Sequence, residues 1–504
     1  MKLPRRDDDM PVIRRRTTRQ RLVIAAAMTS ALLLAGCTLG PDYEQPRLAA
    51  VPVQWEAPQP HDGDLANLAD WWAQLDDPVL VRLQQTAEDF SPSLGQAVAR
   101  IDQARASLAT SRADGLPQVN GSGSYSVAGQ IDIDSGDETD ENGNTVTTGD
   151  GLIVTSDGLQ AGLDASWEID LFGKVRRQNQ AERARIEARV DDWHDARVSL
   201  SAEVADYYVQ LRGCEQLADL YDQQASSQDE TARLTRISAN AGFTAPADAR
   251  LTEASAASTR ASLKEQRAQC DLLVKSLVTL TGMSEGELRA LLAPRRGELP
   301  GSLEFRVASV PADLVRQRPD VAAAERELAA TSAEIGAAEA DLYPSLSLGG
   351  SIPLASGVAQ WSFGPSLSLP IFDGGRARAG VRSAEASYDL QYHTYREVVW
   401  SAVLEVEQSL VQLDAARGRA DDAAEAADGY QDYFIAIERL REVGSANVLD
   451  LESARRNALD AKRNLVSLRT ATAQYWIALY KALGGGWDEA QSPDYTIPAG
   501  DQTS

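Results

Sequence analysis

The clearest pattern in the chain is a seam of inward positions stepping alternately by four and three. It runs through Thr252, Ala256, Thr259, Leu263, Gln266, Cys270, Leu273, Leu277 and Leu280. The same seam returns at Leu451, Ala454, Ala458, Ala461, Leu465, Leu468, Thr472, Tyr475, Leu479 and Ala482. Alternating steps of this kind mark helices wound in a left-handed coiled coil. Corresponding positions lie 202 residues apart, as do Gly242 and Gly444, and Asp248 and Asp450. The chain therefore reads as an internal duplication, each copy carrying a long antiparallel helix pair. The outgoing limbs are predicted over Lys174 to about Asn240 and Arg376 to about Glu442. At 1.5 Å per residue each would measure about 100 Å.

A second pattern has period two. Leu159, Ala161, Leu163, Ala165, Trp167 and Ile169 alternate with polar or small residues, and Trp361, Phe363, Pro365, Leu367, Leu369 and Ile371 do the same. Each run is preceded by another: Val119, Gly121, Gly123, Tyr125 and Val127 in the first copy, and Leu346, Leu348, Gly350, Ile352 and Leu354 in the second. Runs of about 10 residues suit tilted membrane strands, apolar toward lipid and polar toward a lumen. A half-buried soluble sheet has the same pattern. Four strands cannot close a barrel, since the smallest outer-membrane barrels have about 8. Open edges in lipid leave backbone groups unpaired. A membrane reading therefore requires oligomerisation; two copies would reach the minimum, three would give twelve strands.

The remaining punctuation is consistent. Pro92 and Pro319 open helices running to about Asp114 and Asp341, and Pro117 and Pro344 follow each by 25 residues. Asp70 to Glu88 reads as a short helix, and Pro294 to Pro311 as a linker. Asp132 to Asp157, acidic and Gly/Thr-rich, reads as a long solvated loop. The organisation expected is a leader over 1–36, a tether and short helix over 37–90, and a first repeat over 91–290 that includes an acidic loop at 129–158. A linker over 291–317, a second repeat over 318–487 and a loose tail over 488–504 follow.

Composition and charge narrow the class. A net charge of −25 over 504 residues argues against a nucleic-acid partner. Arg5, Arg6, Arg14, Arg15, Arg16, Arg19 and Arg21 precede an apolar run from Leu22 to Leu34, of signal-peptide length. The run ends in Leu34-Ala35-Gly36-Cys37, which resembles the lipobox of bacterial lipoproteins; Cys37 would then be lipidated and become the first mature residue. Past Cys37 no apolar run approaches the roughly 18 residues of a spanning helix.

Three stretches carry a family resemblance. Trp167-Glu168-Ile169-Asp170-Leu171-Phe172-Gly173-Lys174 and Arg316-Gln317-Arg318-Pro319-Asp320-Val321 resemble hallmarks of the outer-membrane factor (TolC-like) family. Leu479-Tyr480-Lys481-Ala482-Leu483-Gly484-Gly485-Gly486-Trp487 resembles the ending of its lipoprotein branch, which serves resistance–nodulation–division efflux pumps. The resemblance implies a mixed α/β membrane protein. Four strands per chain would build a trimeric 12-stranded β-barrel, and long coiled-coil helices a periplasmic α-barrel. It further implies a homotrimer in outer-membrane lipid, acting as a passive gated exit duct for small molecules with a periplasmic membrane-fusion adapter and an inner-membrane pump. A duct for type I protein secretion and a pore-less structural lipoprotein are the alternatives. An enzyme is disfavoured: His61, His194 and His393 are scattered, and no nucleophile motif, phosphate loop, metal-ligand cluster or cofactor motif occurs.

The candidate functional residues gather at the hairpin turns. Gly242 and Phe243, with Val443, Gly444 and Ser445, are the expected adapter contacts, although turn glycines also simply cap helices. Asp248, Asp450 and Glu452 just beyond are the expected periplasmic gate, because a trimer turns each into a ring of like charge. The dipole of a helix start also favours such aspartates. The family commonly places Leu-Asp-Ala-Gln-Arg here; this chain has Leu449-Asp450-Leu451-Glu452-Ser453, with Arg455 two residues on. Cys214 precedes Gly242 by 28 residues and Cys270 follows it by 28, both on a hairpin seam, which on the outgoing limb runs through Leu200, Val204, Tyr207, Leu211, Cys214, Ala218 and Tyr221. In an oxidising periplasm they are expected to form a disulfide; a pair of buried free thiols is the other reading.

Overall fold

The computed structural model describes residues 38–46, 57, 71–131, 138–139, 145–146, 153–300, 318–355 and 358–486. The leader, Cys37, His61, most of the acidic loop, most of the linker and the tail lie outside the described residues. The chain resolves into two compact units, and these do not follow the two repeats. One draws on Ala106–Arg183, Ala329–Tyr388 and the start of the chain; the other on Glu44–Arg105, Ala184–Leu328 and Asp389 onward. Each unit takes parts from both copies, because strands pair with strands and hairpins with hairpins.

The first unit holds the sheet. Its long strands are β1 (Gln118–Ile131), β4 (Ile153–Ile169), β5 (Ser345–Ala355) and β7 (Ser362–Ser368). They lie antiparallel in the order β1-β4-β5-β7, with the two-residue β6 (Val358–Ala359) also on β5. The short strands β2 (Glu138–Thr139) and β3 (Thr145–Val146) pair with each other inside the acidic segment. Strands β1 and β4 extend past the expected loop boundaries of 129 and 158. Ladder bonds continue through Gly129↔Thr155 and Ile131↔Ile153, since alternation of side chains reports which face is apolar, not where backbone pairing stops. At the other end, β7 stops at Ser368, short of Leu369 and Ile371, because Pro370 has no N–H to continue the ladder.

The second unit holds most of two helical hairpins. Helix α4 (Lys174–Asn240) and helix α8 (Arg376–Glu442) are 67 residues each, with the bounds expected of the outgoing limbs. Their return limbs are α5 (Pro246–Thr281) and α9 (Val448–Ala482). Helix α3 (Pro92–Asp114) and its counterpart α7 (Pro319–Ala340) begin at the expected prolines. A short helix α6 (Glu285–Leu292) crosses the expected linker boundary, fixed by a capping box between Ser284 and Glu287.

The expected single helix over 70–88 is instead two, α1 (Trp71–Gln74) and α2 (Pro78–Phe90). Pro78 cannot sit inside a helix, so it becomes a first-turn residue, and the Asp77 carboxylate caps the new start by accepting from Val79 N at 3.0 Å and Leu80 N at 3.2 Å. Tyr208 Oη donates to the same carboxylate at 2.7 Å, which ties α2 to α4. Around this point Trp71, Leu80, Leu83, Val204, Tyr208, Leu277, Leu410, Trp476 and Leu479 form one buried core. Ala473, Trp476, Ile477 and Tyr480 are buried although they lie off the α9 seam, so this end of α9 is enclosed on more than one side.

Candidate functional site

In the sheet, register puts the apolar positions of the four period-two runs on one face. Val119 faces Ala165, Tyr125 faces Leu159, Leu163 faces both Gly121 and Ile352, and Leu346 faces both Ile169 and Leu367. The opposite face carries Asn120, Ser122, Ser124, Gln160, Asp164, Glu168, Ser347 and Ser366. Among the described residues no core covers the apolar face: Val119, Tyr125, Leu159, Leu163, Phe363 and Leu367 are all more than half exposed. Among the described residues β1 pairs only with β4 and β7 only with β5, so both outer strands present open backbone edges. A contiguous exposed apolar face with two open edges is the local chemistry of a barrel segment in lipid. Trp361, Ile371 and Phe372, at least 80% exposed, flank β7.

The hairpin turns are built alike. Phe243 N donates to Ser238 O at 2.9 Å and Gly242 N to Ala239 O at 3.0 Å; Ser445 N donates to Leu440 O at 2.8 Å and Gly444 N to Arg441 O at 3.0 Å. Both are Schellman closures with a left-handed glycine, at φ +80° for Gly242 and +78° for Gly444. A Schellman turn ordinarily packs its next residue back on the helix. Here that residue is Phe243, 86% exposed, and Val443 is 74% exposed beside the second turn. The glycines are thus explained by capping; the exposed Phe243 and Val443 are not.

The three expected gate acids have different environments. Asp450 is exposed but engaged in a capping box: Asn447 Oδ1 accepts from Asp450 N at 2.8 Å, and Asp450 Oδ2 accepts from Asn447 N at 3.2 Å. Asp248 is half-buried in the first turn of α5, where the helix dipole favours it. Glu452 differs from both: it is 6% exposed and turned into the helices. Arg455 Nη1 donates to its carboxylate at 2.5 Å, and Gln228 Nε2 at 3.2 Å. Thr259 Oγ1 donates to Gln228 Oε1 at 2.5 Å, Arg455 Nη2 donates to Thr231 Oγ1 at 3.0 Å, and the guanidinium lies 5.5 Å from the Phe434 ring centre. This buried polar cluster joins α4 and α5 of the first hairpin to α9, with α8 alongside through Phe434. Burial is the largest influence on Glu452 and pushes its carboxyl above the usual carboxylate range, against the lowering pull of Arg455.

Sequence reasoning missed Gln228, Thr231 and Phe434. One signal was present: continuing the α4 seam from Tyr221 by four and three lands on Ala225 and then Gln228, an amide at a core position. Asp450 and Asp248 are not drawn into this cluster.

Cys214 and Cys270 are joined in a disulfide between α4 and α5, with Cα atoms 5.6 Å apart. Gln266 Nε2 donates to the Cys214 carbonyl beside it at 3.3 Å. The bridge closes a separation of 56 residues, so its removal in a Cys214→Ser, Cys270→Ser variant is expected to lower stability by about 2–4 kcal/mol. Thermal unfolding of the purified protein with and without reductant checks this, alongside a non-reducing peptide map.

No group of three or more His, Cys, Asp or Glu side chains among the described residues is arranged to hold a metal. No helix among them is long and apolar enough to cross a membrane. The described residues offer an exposed apolar sheet face, a polar opposite face and exposed hairpin tips.

Comparison with known proteins agrees with this geometry. A family model described as "Outer membrane efflux protein" matches residues 83–283 and 310–485. Nodulation protein T of Rhizobium leguminosarum bv. trifolii is 30% identical over 91% of this chain and 96% of its own length. The toluene efflux pump outer membrane protein TtgI of Pseudomonas putida is 30% identical over 92% of this chain and 98% of its own. The solved outer-membrane channel OprN superposes with a TM-score of 0.77 at 31% identity, covering 90% of this chain and all of that one.

Proposed function

Because this chain belongs to the outer membrane efflux protein family, we propose that three copies assemble into the outer-membrane exit channel of a tripartite efflux pump. The observation that carries the reading is the four-stranded sheet with one exposed apolar face and two open edges. In lipid such edges must be closed by neighbouring copies. Three copies supply twelve strands, an even number above the barrel minimum of about 8. The polar face, with Asp164 and Glu168, then lines a wet and acidic lumen. Cys37 carries the lipid that tethers the chain to the outer membrane.

The hairpin tips meet a periplasmic adapter that connects the duct to an inner-membrane pump. Phe243 and Val443 are apolar, exposed and held on rigid capped turns, as a docking anchor needs to be. The duct is passive: cargo is chosen by the pump, and the channel supplies a gated passage for small molecules. The gate lies near Asp248 and Asp450, which stay nearer water than Glu452, and the buried Glu452–Arg455 cluster holds the two hairpins together behind them.

Two measurements test this. Purified protein reconstituted in a planar lipid bilayer is expected to form trimers with discrete conductance; a monomer without conductance would remove the channel reading. A photo-crosslinker at Ser445 is expected to capture a periplasmic adapter. Phe243→Ser is expected to weaken that capture without altering the melting temperature, since the ring contributes little burial. Gly444→Val is expected to weaken capture and also to destabilise the turn by about 1–2 kcal/mol, because a β-branched residue is strained at this φ.

A further inference from the structure

The first described residues of the chain, Thr38 to Asp42, are seated in a cleft of the sheet-bearing unit. At its centre is Arg177 in the first turn of α4, 4% exposed. Its Nε donates to Leu39 O at 2.8 Å, and Nη2 donates to Gly40 O and to Asp42 Oδ1, both at 3.0 Å. Gln180 Oε1 accepts from Nη1 at 2.9 Å and fixes the guanidinium plane. Leu39 N in turn donates to Phe172 O at 3.3 Å. A buried guanidinium holding two backbone carbonyls and a carboxylate is a strong and directional clamp.

Glycines shape the floor beneath it. A Cβ on Gly336, inside α7, would meet Leu39 O at 2.5 Å and Arg177 Nε at 2.9 Å. A Cβ on Gly40 would meet the Gly336 backbone at 2.3 Å, and one on Gly173 would meet Thr38 Cγ2 at 2.8 Å. Glycine is a poor residue for a helix interior, so Gly336 costs α7 stability and returns close approach of the segment. Gly173 stands between the end of β4 at Ile169 and the start of α4 at Lys174. The residue next to Cys37 is therefore packed against the turn at which the sheet ends.

We propose that Arg177, Gly336 and Gly173 form a dedicated cradle that couples the acylated Cys37 to the sheet, so that the fatty chains hold the sheet base at a fixed depth. The proposal rests on the reading of Cys37 as the lipid-bearing residue. Without the cradle, Thr38 to Gln45 becomes a slack tether of up to about 3.3 Å per residue, and the lipid holds the chain without positioning it. Arg177 is thus a positioning residue acting through the tether.

Gly336→Ala is the decisive variant. Alanine is the better helix former, so α7 is not weakened, yet its methyl occupies the place of Leu39 O. Arg177→Gln is the second variant; it removes the charge and the fork. Hydrogen exchange on the full-length purified protein is expected to show the Leu39 amide protected in the natural sequence and exchanging about a hundredfold faster in either variant. Mass analysis of the N-terminal peptide is expected to find Cys37 acylated in all three. In cells, Gly336→Ala and Cys37→Ser are each expected to reduce efflux, and the double variant to be no worse than the more severe single. Multiplicative loss in the double variant, or unchanged protection of Leu39 in Gly336→Ala, overturns the cradle. An unacylated Cys37 in the natural sequence overturns the coupling through the lipid reading, an outcome told apart because protection of Leu39 then persists.

Discussion

Leu163→Arg is expected to keep the chain out of the outer membrane. Leu163 sits centrally in β4, paired on its own face with Gly121 and Ile352, and is 53% exposed. An arginine on the lipid face near the bilayer midplane costs about 2–4 kcal/mol in a barrel. A trimer carries the change three times, so the assembled penalty is about 6–12 kcal/mol, comparable with the whole stability of an ordinary domain. Membrane fractionation and the heat-stable trimer band on a gel measure it. The control is Gln160→Arg, three residues earlier and opposite Ser124 on the polar face. It is expected to insert normally and to shift only conductance and ion preference. Equal insertion of both variants would show that the apolar face is not lipid-facing.

Arg455→Ala is the second large effect. It leaves Glu452 buried without its ion-pair partner, hydrogen-bonded by Gln228, and breaking a buried pair by removing one partner costs about 3–5 kcal/mol. Because the cluster joins α9 to α4, the loss is expected to free the second hairpin from the first. The readouts are raised single-channel conductance and entry of antibiotics otherwise too large to pass the outer membrane. Replacing Gln228, Glu452 and Arg455 together by leucine or methionine is expected to recover stability while keeping the hairpins joined, since packed apolar groups replace buried ion pairs well. Unchanged conductance in Arg455→Ala, with hairpin crosslinks intact, would remove the cluster from any gating role. The pH dependence follows from Glu452. Its carboxyl is raised on folding, so the folded form binds the proton more tightly and this contribution is fully present at low pH. It is lost as pH rises through the raised value, and Glu452→Gln is expected to flatten that dependence.

Much of this was legible in the chain. The alternating steps of four and three located α4, α5 and α9, because one face of a coiled-coil helix must stay apolar along its length, and the 202-residue offset carried α4 over to α8. Period-two runs located all four long strands and their apolar face. Proline positions located the starts of α3 and α7. Less legible were the ends of β1 and β4, which depend on backbone pairing, and the break at Pro78, which depends on Asp77 supplying a cap. The burial of Glu452 was not legible for a related reason. Glu452 carries a formal charge, and a charged residue near a helix start reads as solvated; only the proximity of Arg455, Gln228 and Thr259 makes its burial tolerable.

What the sequence determined alone is the repeat, the two periodicities and the positions where helices and strands begin, since these are properties of neighbouring residues along one chain. The tertiary structure decided that strands of both copies share one sheet, that Glu452 meets Gln228 and Arg455 meets Thr231 across hairpins, and that Arg177 grips the segment after Cys37. Each of these brings together residues more than a hundred positions apart, and no local pattern encodes which distant backbone a side chain will meet.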